Sequence, residues 1–135
     1  MLNIKKIKLG NYVSTKGQLS IIEESKNVLF RFKRVFFVKG KKNITRGMHA
    51  HKKCSQIFIC LNERVKIKCD DGVKKKTFIL KDSKFALLIP PMIWSDQTYL
   101  SNKSILAVIC DQKYDKNDYI HDYSNFIDII NRWKY

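Results

Sequence analysis

Apolar and polar residues alternate with a period of two along most of this chain. The strictest run is Arg64 to Cys69, where Val65, Ile67 and Cys69 share one face and Lys66 and Lys68 the other. Successive strand side chains point to opposite faces, so this pattern predicts a half-buried β-strand. Asp70-Asp71-Gly72 follows and is the strongest hairpin signal, because Asp-Gly tolerates the positive φ angles of a tight turn. Val73 to Leu80 is the returning strand. Phe85 to Ile89 is an apolar run stopped by Pro90-Pro91, and Ile93 to Tyr99 and Ser104 to Asp111 predict two further strands. Upstream, Ile4, Ile7 and Leu9 predict a short first strand, Asn11 to Gly17 a loop, and Gln18 to Glu23 another strand. After a polar turn at Glu24 to Asn27, Val28 to Val38 reads as one long strand, with Phe30 and Phe32 alternating with Arg31 and Lys33. A polar loop from Gly40 to Thr45 leads into a strand containing His49 and His51, and Gln56 to Leu61 is the next, closed by a turn at Asn62-Glu63. Only the end departs from this rhythm. Phe126, Ile129, Ile130 and Trp133 fall at helical spacing, with Ser124 as the expected N-cap. Many short strands without helices between them predict an all-β sandwich or barrel with one short C-terminal helix.

A length of 135 residues, 44% of them hydrophobic, fits a single domain (1–135) with a real core. The formal net charge of +15 favours anionic partners. Its lysines are scattered, and no basic run is interleaved with aromatics in a nucleic-acid module, so a nucleic-acid partner is not expected. Cys54, Cys60, Cys69 and Cys110 form no C-x-x-C pair. Most of them sit in apolar surroundings, where a free cysteine behaves as a small hydrophobe. There is no apolar segment of membrane-spanning length and no secretory h-region in Met1 to Gly10. The expectation is a cytoplasmic protein with reduced thiols and no membrane partner.

Candidate chemistry concentrates in Arg46-Gly47-Met48-His49-Ala50-His51-Lys52-Lys53, which holds two of the three histidines. On a strand, His49 and His51 share a face, with Arg46 close by, just before Gly47. Paired imidazoles beside a guanidinium suit an anionic ligand and proton transfer near neutral pH.

An all-β chain with H-x-H opening a strand resembles the cupins, small jelly-roll barrels. Metal-dependent cupins add a carboxylate and a later histidine. Here Gln56 and Ser95 stand at those positions, and an amide and a hydroxyl are poor metal ligands. The resemblance therefore points to a site without a metal. The block Arg46 to Lys53, together with Tyr114-Asp115-Lys116-Asn117-Asp118-Tyr119-Ile120, is similar to a narrower family. These are the sugar nucleotide 3,4-ketoisomerases acting on dTDP-4-keto-6-deoxyglucose. Lys33-Arg34-Val35, Cys60-Leu61-Asn62, Asp70-Asp71-Gly72 and Pro91 to Trp94 extend the likeness over nearly the whole chain.

That resemblance implies an isomerase that moves a ketone from C4 to C3 through an enediol, yielding a dTDP-3-keto-6-deoxyhexose for amino-deoxysugars of bacterial surface glycans such as lipopolysaccharide. It implies no cofactor and no metal, and a homodimer with an exchanged N-terminal strand. His51 and His49 are the expected catalytic pair, His51 as the C3 base. Arg46 and Arg34 are expected on the pyrophosphate, and Gln56, Trp94 and His121 around the substrate. Trp94 equally reads as a core aromatic and His121 as a solvent-exposed residue, while Tyr119 and Tyr123 read as packing residues. Some family members carry a tyrosine where this chain has Phe36-Phe37. The competing readings are a related nucleotide-sugar epimerase and a non-catalytic ligand-binding cupin.

Overall fold

The computed structural model describes residues 2–26 and 28–133. The strands are β1 (Lys5–Lys8), β2 (Gly10–Ser14), β3 (Gly17–Ile21), β4 (Arg34–Lys39), β5 (Thr45–His51) and β6 (Gln56–Asn62). They continue with β7 (Arg64–Asp70), β8 (Lys75–Lys81), β9 (Phe85–Ile89), β10 (Trp94–Tyr99), β11 (Ile105–Cys110) and the short β12 (Tyr119–Ile120). A single helix, α1 (Tyr123–Trp133), closes the described chain. Ten of the strands form two five-stranded antiparallel sheets, ordered β1-β9-β6-β11-β4 and β12-β5-β10-β7-β8. Their facing sides hold the main core. Phe58, Leu106 and Val108 come from the first sheet, and Val65, Ile67 and Tyr99 from the second. This is the all-β sandwich that the strand rhythm predicts, in the jelly-roll form that the cupin resemblance implies.

Two further apolar layers explain where period-two reasoning succeeds and fails. β6 and β11 are buried on both faces because Leu9, Val28 and Phe30 cover the outer side of the first sheet at Ile57, Ile59 and Ala107. Val28 to Lys33 is therefore an irregular cover and not the first half of a strand; only Arg34–Lys39 pairs, with β11. The outer side of the second sheet is covered by α1, where Phe126 packs on Ala50, Met92 and Ile120. The helix begins one turn earlier than its apolar stripe suggests. Its cap is Asp122, whose Oδ1 accepts from the Asn125 N–H at 3.2 Å, and not Ser124. The β7–β8 hairpin forms as expected but spans Asp71 to Lys74, with Gly72 at φ +91° and Asp71 Oδ1 accepting from the N–H groups of Val73 and Lys74.

The expected loop at Asn11 to Gly17 instead holds most of β2, the turn after it and the first residue of β3, which pairs with β2 in a two-stranded ribbon separate from both sheets. Tyr12, Val13 and Leu19 lie exposed on it. β1 pairs with β9 of the same chain, from Lys5 against Leu88 to Lys8 against Phe85.

Candidate active site

β5 lies between β10 and β12, and the three together present the site residues to the space between the sheets. Ser95 opposes His49 and Gln97 opposes Arg46, so Gly47 and Met48 of β5 together answer Asp96 of β10. The additional residue is a β-bulge at Gly47-Met48, with Gly47 at φ +69°. Strict alternation would put Arg46 on the face opposite His49. The bulge shifts the phase by one residue, and Arg46 joins the histidine face because residues directly opposed across a ladder share a side.

β12 then adds Tyr119 opposite His51. The preceding 3-10 turn, Lys116–Asp118, is capped by Asp115, which accepts from the Asn117 N–H at 2.9 Å. The turn aims Asp118 at His51. Asp118 Oδ2 lies 2.9 Å from His51 Nδ1, and its Oδ1 accepts from the Lys53 N–H at 2.6 Å. Burial works against ionisation of Asp118, but the hydrogen bonds from His51 and from the Lys53 and Cys54 backbone outweigh it and hold the carboxyl below its usual range. An ionised Asp118 can only accept, so the His51 proton belongs on Nδ1. Nε2 is then left with a free lone pair. It is buried and has no hydrogen-bond partner among the described residues.

The His49 ring sits 4.9 Å from that of His51, and His121 lies 5.8 Å from His49. Burial, followed by repulsion from His51 and His121, pushes the His49 imidazole down to about 4. A cation disfavoured in the fold makes the unfolded chain bind more protons between about pH 4 and 6.5. Stability therefore falls as pH drops through that window. Between pH 7 and 5 the loss assigned to His49 is about 1–2 kcal/mol. Urea unfolding of wild type and His49→Asn at both pH values should show the variant losing correspondingly less. Equal losses would place the proton uptake elsewhere.

The opposite sheet supplies Arg34, Cys110 and Gln56, aligned in register. Arg34 Nη2 donates to the Tyr119 hydroxyl at 3.1 Å and approaches Cys110 Sγ at 3.5 Å. Gln56 Nε2 reaches the same sulfur at 3.5 Å. The Cys54 thiol, Gln56 and Arg34 all stabilise the ionised form of Cys110, so Cys110 is the more acidic of the two thiols and Cys54 stays protonated. His51, Cys54 and Asp118 bring three potential metal-ligand atoms within 4.8 Å of one another. Asp118 already accepts three hydrogen bonds there, from His51 Nδ1 and from the N–H groups of Lys53 and Cys54.

Of the expected site residues, His49, His51, His121, Arg46, Arg34 and Gln56 therefore converge on one face or its opposing wall. Trp94 does not. It points to the outer side of the second sheet, where its ring packs on Tyr123 at 5.3 Å and Phe126 at 5.8 Å. Asp118 and Tyr119 were not anticipated in the site. Tyr119 does pack, as expected, but against the site's own rings, 4.4 Å from His51 and 4.9 Å from His49.

The chain matches a family profile described as FdtA, WxcM-like C-terminal, over residues 2–131. It belongs to that family. A TDP-4-oxo-6-deoxy-alpha-D-glucose-3,4-oxoisomerase from Aneurinibacillus thermoaerophilus is 35% identical over 129 residues, covering 93% of this chain and 88% of the relative. The structure of the sugar 3,4-ketoisomerase QdtA from Thermoanaerobacterium thermosaccharolyticum, in complex with TDP, superposes with a TM-score of 0.91 at 35% identity, over 97% of this chain and 96% of that one. WlaRA, a TDP-fucose-3,4-ketoisomerase from Campylobacter jejuni, gives 0.89 at 31% identity, over 99% and 100%. Among the described residues, no helix is long and apolar enough to cross a membrane.

Proposed function

We propose that this protein is a metal-independent 3,4-ketoisomerase acting on dTDP-4-keto-6-deoxyglucose in deoxysugar biosynthesis. The observation that carries the reading is the unpartnered Nε2 of His51, fixed as an acceptor by Asp118 and facing the same space as His49. A non-catalytic cupin has no need of a buried base held in one tautomer. His51 Nε2 removes the proton from C3, an enediol forms, and a proton returns at C4. His49, less buried than His51, lines the same face beside it. Turnover of the 4-keto sugar followed by NMR, with and without chelator, tests this. No product overturns the activity, and loss on chelation reversed by one divalent metal overturns metal independence.

Arg46 is the proposed pyrophosphate anchor. It is exposed and shares the histidine face through the bulge. Arg46→Ala should weaken dTDP binding by about 1.5–3 kcal/mol, the range for hydrogen bonds to charged groups. Unchanged affinity by calorimetry would move the phosphate site.

The protein is also proposed to be a homodimer. A two-stranded ribbon is at best marginally stable in water. The β2–β3 ribbon, exposed at every residue, is suited to docking on a partner's sheet. β1 exchanged between copies would keep its register on β9 and carry the ribbon across. Sedimentation at micromolar concentration should give twice the chain mass; a monomer would exclude this assembly.

A further inference from the structure

We propose that Tyr119 is a catalytic residue of this site: its hydroxyl, held by Arg34, protonates the substrate's O4 and receives the proton of O3. The inference rests on the ketoisomerase reading above. Tyr119 reaches from β12 across to the opposite sheet, with its ring against both His51 and His49. Arg34 Nη2 donates to the phenolic oxygen at 3.1 Å. The phenol oxygen accepts from Arg34, so the phenol's own proton is turned away from the guanidinium. Arg34 is itself immobilised, with its guanidinium 5.3 Å from the Phe36 ring centre and 5.4 Å from that of Tyr114. A guanidinium already bonded to the phenol oxygen is in place for the charge that proton donation leaves there.

The electron and proton balance closes within the site. As His51 takes the C3 proton, the C3–H pair forms the C3=C4 bond and the carbonyl pair moves onto O4. O4 takes the proton of Tyr119, leaving a phenolate beside Arg34. In the second half the phenolate removes the O3 proton, the O3–H pair forms the C3=O bond, and the C3=C4 pair takes the proton back from His51 at C4. No outside acid, oxidant or metal is consumed. His49 is less suited to the donor role, since burial keeps its cationic form scarce at neutral pH.

The test is Tyr119→Phe, which retains the ring and its packing, measured beside His49→Asn. The expected result is a fall in kcat of about 10²–10³, the range for loss of one oxyanion donor, with KM and dTDP affinity within about threefold of wild type. C3 proton exchange in deuterated water should slow in parallel. A thermal midpoint matching wild type shows that the fold is intact; if it drops, 3-fluorotyrosine at position 119 provides the second measurement, and an unchanged kcat there overturns the proposal. Active wild type with Tyr119→Phe within threefold of it, or a larger loss in His49→Asn, returns the oxygen chemistry to His49 and overturns the role of Tyr119 alone. Wild-type protein that produces no 3-keto sugar overturns the ketoisomerase reading and this inference with it.

Discussion

His51→Asn should lower kcat by about 10²–10⁴, the contribution of a positioned general base, while leaving nucleotide affinity nearly unchanged. The side chain is buried at 6% exposure, and Asp118 anchors its Nδ1 at 2.9 Å. Asparagine offers an N–H to Asp118 in the same place but has nothing at the position of Nε2 able to accept a proton. Binding therefore survives while proton abstraction fails. Exchange of the C3 proton in deuterated water reports the abstraction directly. Exchange at the wild-type rate would exclude His51 as the base. His49→Asn should cost less, because His49 is more exposed and lacks a carboxylate partner among its described contacts. The reverse ranking would exchange the two roles.

Much of the fold was legible where a strand keeps one face wet, as β7 and β8 do. Lys66 and Lys68 mark the outer face of β7 as clearly as Val65 and Ile67 mark its inner face. The helix was equally plain from Phe126, Ile129 and Ile130. Reading failed where a segment packs without pairing. Val28 and Phe30 are buried at alternate positions, yet they cover a sheet and form no part of one. It failed again at Asn11 to Gly17, whose polar residues form a strand in a ribbon exposed on both sides. For the site, the histidine pair is local in sequence and needs only alternation. Asp118 acts on His51 from 67 positions away, through a turn whose direction no periodicity encodes. The only signal for it was the Y-D-x-x-D-Y-I block itself, in which Asp115 caps the turn and Asp118 follows three residues later. Trp94 was misplaced by one step of alternation: its neighbour Ser95 faces the histidines, so Trp94 must face α1.

Gly47→Ala should lower stability by about 2–4 kcal/mol and weaken nucleotide binding as well, although residue 47 offers no side chain to any ligand. Two costs combine. Alanine at φ +69° adopts the left-handed region that L side chains disfavour. Its Cβ would also meet the Gln97 amide, with Nε2 at 2.5 Å, and Gln97 is buried between strands with little room to retreat. Relaxing both strains means undoing the bulge. A β5 without the bulge returns to strict alternation, which turns Arg46 away from His49 and His51. Affinity for dTDP should then approach that of Arg46→Ala. Combining the two substitutions should add little further loss in binding, because both remove the same guanidinium from the same face. Urea unfolding together with calorimetry of the single and double variants separates the contributions. Wild-type affinity in a destabilised Gly47→Ala would show that Arg46 reaches the site without the bulge. Fully additive binding losses would place the phosphate anchor on another residue of the strand.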